Sequence, residues 1–360
     1  MITKISADSK LTLSEIEKII NSCAEYDTVV FEGVYRFNYT NKRLFMLGKE
    51  SIQSAIMISK SNLFLDFSRA KIFFDVKDII NKLAFMNFYV TARNIKLLGL
   101  DIQINYRGEA SNSTVCGIYN TSLGFSADNC RIAIHSKKQV SAIGIYNYGG
   151  LNTHLNTKAD NLSVVNSRIH INIDPSDTDL ESNAIKSEAY GIYNYFANSM
   201  QVSDTYIDIK NKGKGENQSA VGIFNKGRFC RFSSDNIKAN GRHSEGKSLN
   251  EAYAYGMIDE GMYSLVSNCN IIGEWGGKCV GVYLKGEYSN ITANKILSTH
   301  TIKGVTVKIE GKKMILSNNI LTSTSRNAKV IFSAGDGITI SGNILEILQK
   351  PDNCESGVGM

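Results

Sequence analysis

Glu260 is the carboxylate whose surroundings can be read most directly from the chain. It closes AYGMIDE (254–260), one of six segments with nearly the same text. The others are VCGIYN (115–120), AIGIYNY (142–148), AYGIYNY (189–195), AVGIFNK (220–226) and CVGVYLK (279–285). Aligned on their glycines, the copies on either side put Lys226 and Lys285 at the position of Glu260. Two flanking lysines favour the ionised carboxylate. A general base needs that state, and a structural ion-pair ladder has the same appearance. Asp259 is adjacent, but neighbouring side chains of a regular strand point to opposite faces, which argues against an acid–base dyad. Asp259 also breaks a column of Asn120, Asn147, Asn194 and Asn225, of the kind that satisfies turn backbone.

The same alignment stacks aromatic residues. One column reads Tyr119, Tyr146, Tyr193, Phe224, Ile258, Tyr283, and its neighbour Thr121, Tyr148, Tyr195, Lys226, Glu260, Lys285. Flat rings beside hydrogen-bonding side chains can receive sugar rings. The candidate substrate-binding set is therefore Tyr146, Tyr148, Tyr193, Tyr195, Phe224, Tyr283 and Lys285. The candidate catalytic set is Glu260, Lys226, Arg228, Asp259 and His243. A competing reading has the rings stack on one another for stability, and a third turns the tyrosines into the core. Strict alternation assigns Cys116, Ile143, Tyr190, Val221, Tyr255 and Val280 inward with the following aliphatics, and the glycines outward with the aromatics as a shallow strip.

What must position these residues is a repeat. A small polar cluster and an isoleucine follow each glycine. The offset is 15 for Gly117–Ile132, Gly222–Ile237, Gly256–Ile271 and Gly281–Ile296, and 16 for Gly191–Ile207. It is 25 for Gly144–Ile169, which reads as an inserted loop. From each isoleucine to the next glycine the distance varies from 10 to 22. Rigid halves stack and variable halves form loops on one side. Both motifs alternate with period two and are rich in Ile, Val and Tyr, so they are strands. The expected fold is all-β, a parallel β-solenoid. One amphipathic helix over about 11–23, with Thr12 or Ser14 as N-cap, plugs its N-terminal end. Two prolines and no linker predict one domain over 1–360, with coils over 29–345 and a tail over 346–360. After the sixth copy only the second motif persists, in MILSNNIL and ITISGNIL.

The bulk properties narrow the function classes. A net charge of +6 favours an anionic partner, and basic residues gather at Lys210, Lys212, Lys214, Lys226, Arg228, Arg231, Lys238, Arg242 and Lys247. No nucleic-acid-binding signature organises that charge. Seven cysteines without CxxC spacing read as reduced, buried thiols, and five dispersed histidines form no metal set, so no metal or cofactor is expected. The start MITKISADSK has no secretory signal, and no apolar run of about 18 residues could span a membrane. These features predict a cytoplasmic or virion-associated protein.

The order helix, VVFEGVYRF hairpin, SNLFLDFSRAKIF, ARNIKLLGLDI resembles the entry of the pectin-lyase-like superfamily. The SNN-I and SGN-I text at 317–320 and 341–344 is similar to its coil-turn asparagines. The resemblance implies a single-stranded right-handed parallel β-helix, as in pectate lyases, polygalacturonases, uronan epimerases and phage tailspike depolymerases. It implies a protein that binds and cleaves an acidic surface or capsular polysaccharide, as lyase or hydrolase. The alternative it carries is a non-catalytic glycan-binding or structural β-helix, and the tailspikes suggest a homotrimer. In a lyase, Arg or Lys neutralises the uronate and Lys, Tyr or His removes the C5 proton, roles open to Arg228, Lys226, Tyr193 and His243. The polygalacturonase motifs are absent, and Asp174-Pro175 is followed by Ser176 where the epimerases carry His.

Overall fold

The structure is a computed structural model that describes residues 1–39, 44–47, 50–77, 84–107, 113–150, 159–175, 187–213, 218–241, 252–325 and 327–348. Three parallel sheets wind into a right-handed solenoid. Each coil contributes a three-residue strand to a short sheet, for example Ser126–Asp128. A strand of an aliphatic sheet follows, for example Arg131–Ser136, and then one of an aromatic sheet, for example Ser141–Tyr148. Successive coils pair in register, with Tyr146 on Tyr193 and Ile132 on Ile169. Later coils tighten, and Asn270–Leu284 runs through the aliphatic and aromatic sheets as one strand. Residues 303–309 and Asn327–Ser333 continue the aromatic sheet after its glycine–aromatic text has ended.

The constant glycine-to-isoleucine offset has a packing cause. A methyl group built on Gly117 would lie 2.7 Å from Ile132 Cγ2 and 2.6 Å from the Gly144 carbonyl oxygen. On Gly281 it would lie 2.5 Å from Ile296 Cγ2. Gly144, Gly191, Gly222 and Gly256 abut Ile169, Ile207, Ile237 and Ile271 in the same way. The glycines thus face the core, and the isoleucine of the same coil fills the space each one leaves.

This corrects the assignment by strict alternation. Ladder pairing is interrupted at each glycine: Ile143 pairs Tyr190 and the next pair is Ile145 with Ile192. The irregularity shifts the alternation by one residue. Ala142, Ile145, Ala189 and Ile192 lie in the main core. Cys116 and Ile143 lie in a separate outer cluster with Tyr119, and Tyr190 packs against it. Tyr190 is therefore an outer residue, and there is no external glycine strip.

The N-terminal end is closed as expected, by the helix Leu13–Ser22. Thr12 is its N-cap in a reciprocal capping box with Glu15. Ile16 and Ile20 enter the core. Asn21 Nδ2 donates to the Met57 carbonyl at 2.9 Å, and Met57 N donates to Glu17 Oε2 at 2.9 Å. These side chains occupy backbone groups that another coil would otherwise pair. The expected hairpin in VVFEGVYRF is instead one strand, Thr28–Tyr39, parallel to Ile2–Ser6 and Phe64–Val76 with a register shift between Val30 and Glu32.

Candidate functional site

The outer face of the aromatic sheet carries the predicted columns. Tyr89, Tyr119, Tyr146, Tyr193 and Phe224 form a continuous series with centroid spacings of 4.7–5.2 Å. Its upstream end is closed to solvent, with Tyr119 only 3% exposed. Tyr146, Tyr193 and Phe224 are half-buried. Burial pushes the Tyr193 phenol up to about 12, so at neutral pH it holds its proton and is poorly suited to act as a base. Tyr148 and Tyr195, in the next column, stack at 5.7 Å with an interplanar angle of 4°. Tyr283 is buried, and its hydroxyl bonds Glu310.

The charges complete the second column. Glu260 Oε1 accepts from Lys285 Nζ at 3.0 Å, and Lys226 Nζ stands 3.6 Å from Oε2. Partial burial works against the Lys285 charge, but the Glu260 carboxylate more than offsets it and the lysine pKa is raised. Lys226 also sits 4.8 Å from the centre of the Phe196 ring and 5.6 Å from that of Tyr195. The edge is therefore a row of two rings, a cation, a carboxylate and a cation on successive coils.

Asp259 lies elsewhere, fully buried at the end of an asparagine ladder. Asn120, Asn147, Asn194 and Asn225 each donate to the next member at 2.8 Å, and the last acceptor is Asp259 Oδ1. Ser264 also donates to Oδ1, and Ser289 to Oδ2. Burial raises its pKa, partly opposed by these donors. A ladder in which every amide donates forward must end on an acceptor, which a carboxylate provides. Asp259 is thus occupied inside the fold, and its candidacy as a catalyst is withdrawn. A second ladder runs from Asn294, in TANKI, through Asn319 and Asn343, the coil-turn asparagines of the SNN and SGN text.

Arg228 is exposed on the turn after Asn225. His243, Lys214, Arg242 and Lys247 lie outside the described residues. The basic cluster does not gather on one face. Lys210, Lys212 and Lys238 belong to or flank the aliphatic sheet and pair with Asp208, Asp174 and Glu274. That sheet also joins two histidines that are far apart in sequence. The His135 and His170 rings are 5.5 Å apart, and His170 Nδ1 lies 3.2 Å from Asp208 Oδ2. A cleft of about 400 Å³ at the far turn is lined by Arg69, Lys71 and Asp101, whose charges pair locally.

A third repeated element lies outside the glycine and isoleucine motifs. After each of three aromatic-sheet strands the turn reads KGRF (226–229), EGMY (260–263) or KGEY (285–288). Phe229, Tyr263 and Tyr288 occupy equivalent places, each with φ between 58° and 60°. Their rings stack at 5.1 and 4.9 Å, within 13° of parallel. All three are exposed. The left-handed backbone costs a bulky residue about 1–2 kcal/mol; in other coils the same place is held at little cost by Asn62, Asn94, Gly124, Asn161 and Gly337, and also by Tyr26, Ser199 and Lys313. Each ring pair returns about 0.5–1.5 kcal/mol, so stability gives little reason to prefer aromatics here. A fixed offset of seven from Gly222, Gly256 and Gly281 was the available signal.

No family model matches the chain, and no curated protein resembles it in sequence. By structure it is similar to a pectate lyase, at 13% identity and a TM-score of 0.53, over 91% of this chain and 78% of that one. It shares with that protein the right-handed parallel β-helix fold. Weaker likenesses include a rhamnogalacturonan lyase, at 12% identity and a TM-score of 0.47 over 91% of this chain and 82% of that one. Another is the A-module of a mannuronan C-5 epimerase from Azotobacter vinelandii, at 9% and 0.46 over 92% and 94%. Among the described residues, no group of three or more acidic, histidine or cysteine side chains could hold a metal.

Proposed function

We propose that this β-helix binds an acidic polysaccharide along the edge of its aromatic sheet and cleaves it there. One observation carries the reading: Tyr148, Tyr195, Lys226, Glu260 and Lys285 line up on successive coils at that edge, with rings and charges both reachable from solvent. Polymeric sugar suits a site that repeats along an axis, because each coil offers a similar set of contacts to the next unit. The cations Lys226, Arg228, Lys285, Lys312 and Lys313 outnumber the nearby carboxylates Glu260, Glu287 and Glu310, which favours a uronate over a neutral glycan.

For cleavage by elimination, Lys226 or Lys285 would neutralise the uronate carboxylate and Glu260 would take the C5 proton; the C4–O bond would break as the C4–C5 double bond forms, and the departing oxygen would take a proton from water. Binding without cleavage is the second reading. It is favoured by the engagement of both Glu260 oxygens with lysines and by the burial of Asp259. The test incubates the protein with alginate, polygalacturonate and hyaluronate, following unsaturated-uronate absorbance and reducing ends separately. A rise in both signals marks a lyase, reducing ends alone a hydrolase. Retention by the polymer with neither signal rejects cleavage on that panel, and no retention rejects the proposal for it.

A further inference from the structure

We infer that the turn stack Phe229–Tyr263–Tyr288 is a separate sugar-contact site. The open face of Phe229 receives one pyranose ring of an acidic polysaccharide, and Arg228 pairs with that sugar's carboxylate. The inference rests on the polysaccharide reading above and adds to it a site outside the sheet.

The ends of the stack differ. Exposure rises from 38% at Tyr288 through 45% at Tyr263 to 58% at Phe229. Lys313 covers the Tyr288 end: its Nζ lies 4.8 Å from the ring centre and donates to the hydroxyl at 2.8 Å. On the coil before Phe229 the equivalent residue is Ser199, and before that Asn161, as the backbone bonds from Ser199 N to Arg228 O and from Asn161 N to Asn198 O place them. Neither side chain is large enough to cover a phenyl ring. Among the described residues, one aromatic face therefore stands over a polar ledge made by Asn161, Asn198 and Ser199.

Three consecutive coils hold stacked aromatics at a left-handed position that other coils give to Asn62, Asn94, Gly124, Asn161 and Gly337, and also to Tyr26, Ser199 and Lys313. The chemistry beside the open face is specific. Arg228 is exposed, and its guanidinium pairs with no described residue, whereas Lys226 and Lys285 are held by Glu260. An aromatic face for the apolar side of a pyranose, a guanidinium for a carboxylate and side-chain amides for hydroxyls form a complete contact set. The rings present it with little loss of side-chain freedom, because stacking and backbone already fix them.

The full chain is run in affinity gels containing alginate, polygalacturonate or hyaluronate, with a neutral galactomannan gel as control. Phe229→Asn is expected to weaken binding to the retarding polymer about tenfold, while its melting temperature is unchanged or raised because Asn suits the backbone. Arg228→Gln is expected to weaken binding to the acidic polymer and flatten its salt dependence. Tyr288→Asn, at the covered end, is expected to change affinity less than about threefold. Retardation of Phe229→Asn equal to that of the unaltered protein would overturn the turn site and leave the polysaccharide reading standing. If the unaltered protein is retarded by none of the acidic polymers, both fall.

Discussion

Two series of aromatic rings run along the same solenoid a few residues apart in each coil, and they differ in burial and in backbone. The series on the sheet, from Tyr89 to Phe224, starts buried and packs against Cys116, Ile143 and Tyr190. The series on the turn, from Phe229 to Tyr288, is exposed and sits on strained backbone. Ring spacings are alike in both, 4.7–5.2 Å on the sheet and 4.9–5.1 Å on the turn. Repetition therefore does not separate a stabilising ladder from a binding one. What separates them is what covers the rings and what the backbone costs.

The contrast can be broken most directly at Tyr119. Tyr119→Ala should destabilise by about 3–5 kcal/mol, as for other buried aromatic truncations, measured by urea unfolding. A loss under about 1 kcal/mol would mean that the sheet series contributes little to the fold. Gly222→Ala comes next, at about 1–3 kcal/mol, because the added methyl meets Ile237 and the Gly256 carbonyl. Combining it with Ile237→Ala, which removes the Cγ2 methyl that the new methyl meets, should cost less than the sum of the two single changes if the glycine–isoleucine lock is its cause.

Between the two series lies Glu260. Glu260→Gln should cost no more than about 1 kcal/mol in low salt and less in high salt, since both its partners reach solvent. Thermal melts at two salt concentrations check this. The smallest effect is expected on the turn: Tyr263→Asn should leave stability within about 0.5 kcal/mol, because lost stacking is balanced by relieved backbone. A drop comparable to that of Tyr119→Ala would erase the distinction between the series.

The sequence by itself determined the repeat, the register and the closed end. In-register stacking makes side chains at equivalent positions neighbours, so Glu260 could be placed between Lys226 and Lys285 from text alone. The helix Leu13–Ser22 was equally legible, because amphipathic spacing is local, while its cap was narrowed to Thr12 or Ser14 and the structure selects Thr12. The side of the wall on which Tyr190 and the glycines fall was not legible. Period-two counting assumes an uninterrupted ladder, and the ladder is interrupted at every glycine.

Only the tertiary structure decided burial. It placed Asp259 at the end of an internal amide ladder one residue from a solvent-facing Glu260. It brought His170 to Asp208 on the next coil, and it set Phe229, 58% exposed, above the short Ser199. Each of these depends on which side chain the neighbouring coil sets above or below. Loops of unequal length between coils make that partner a fact of three-dimensional stacking rather than of distance along the chain.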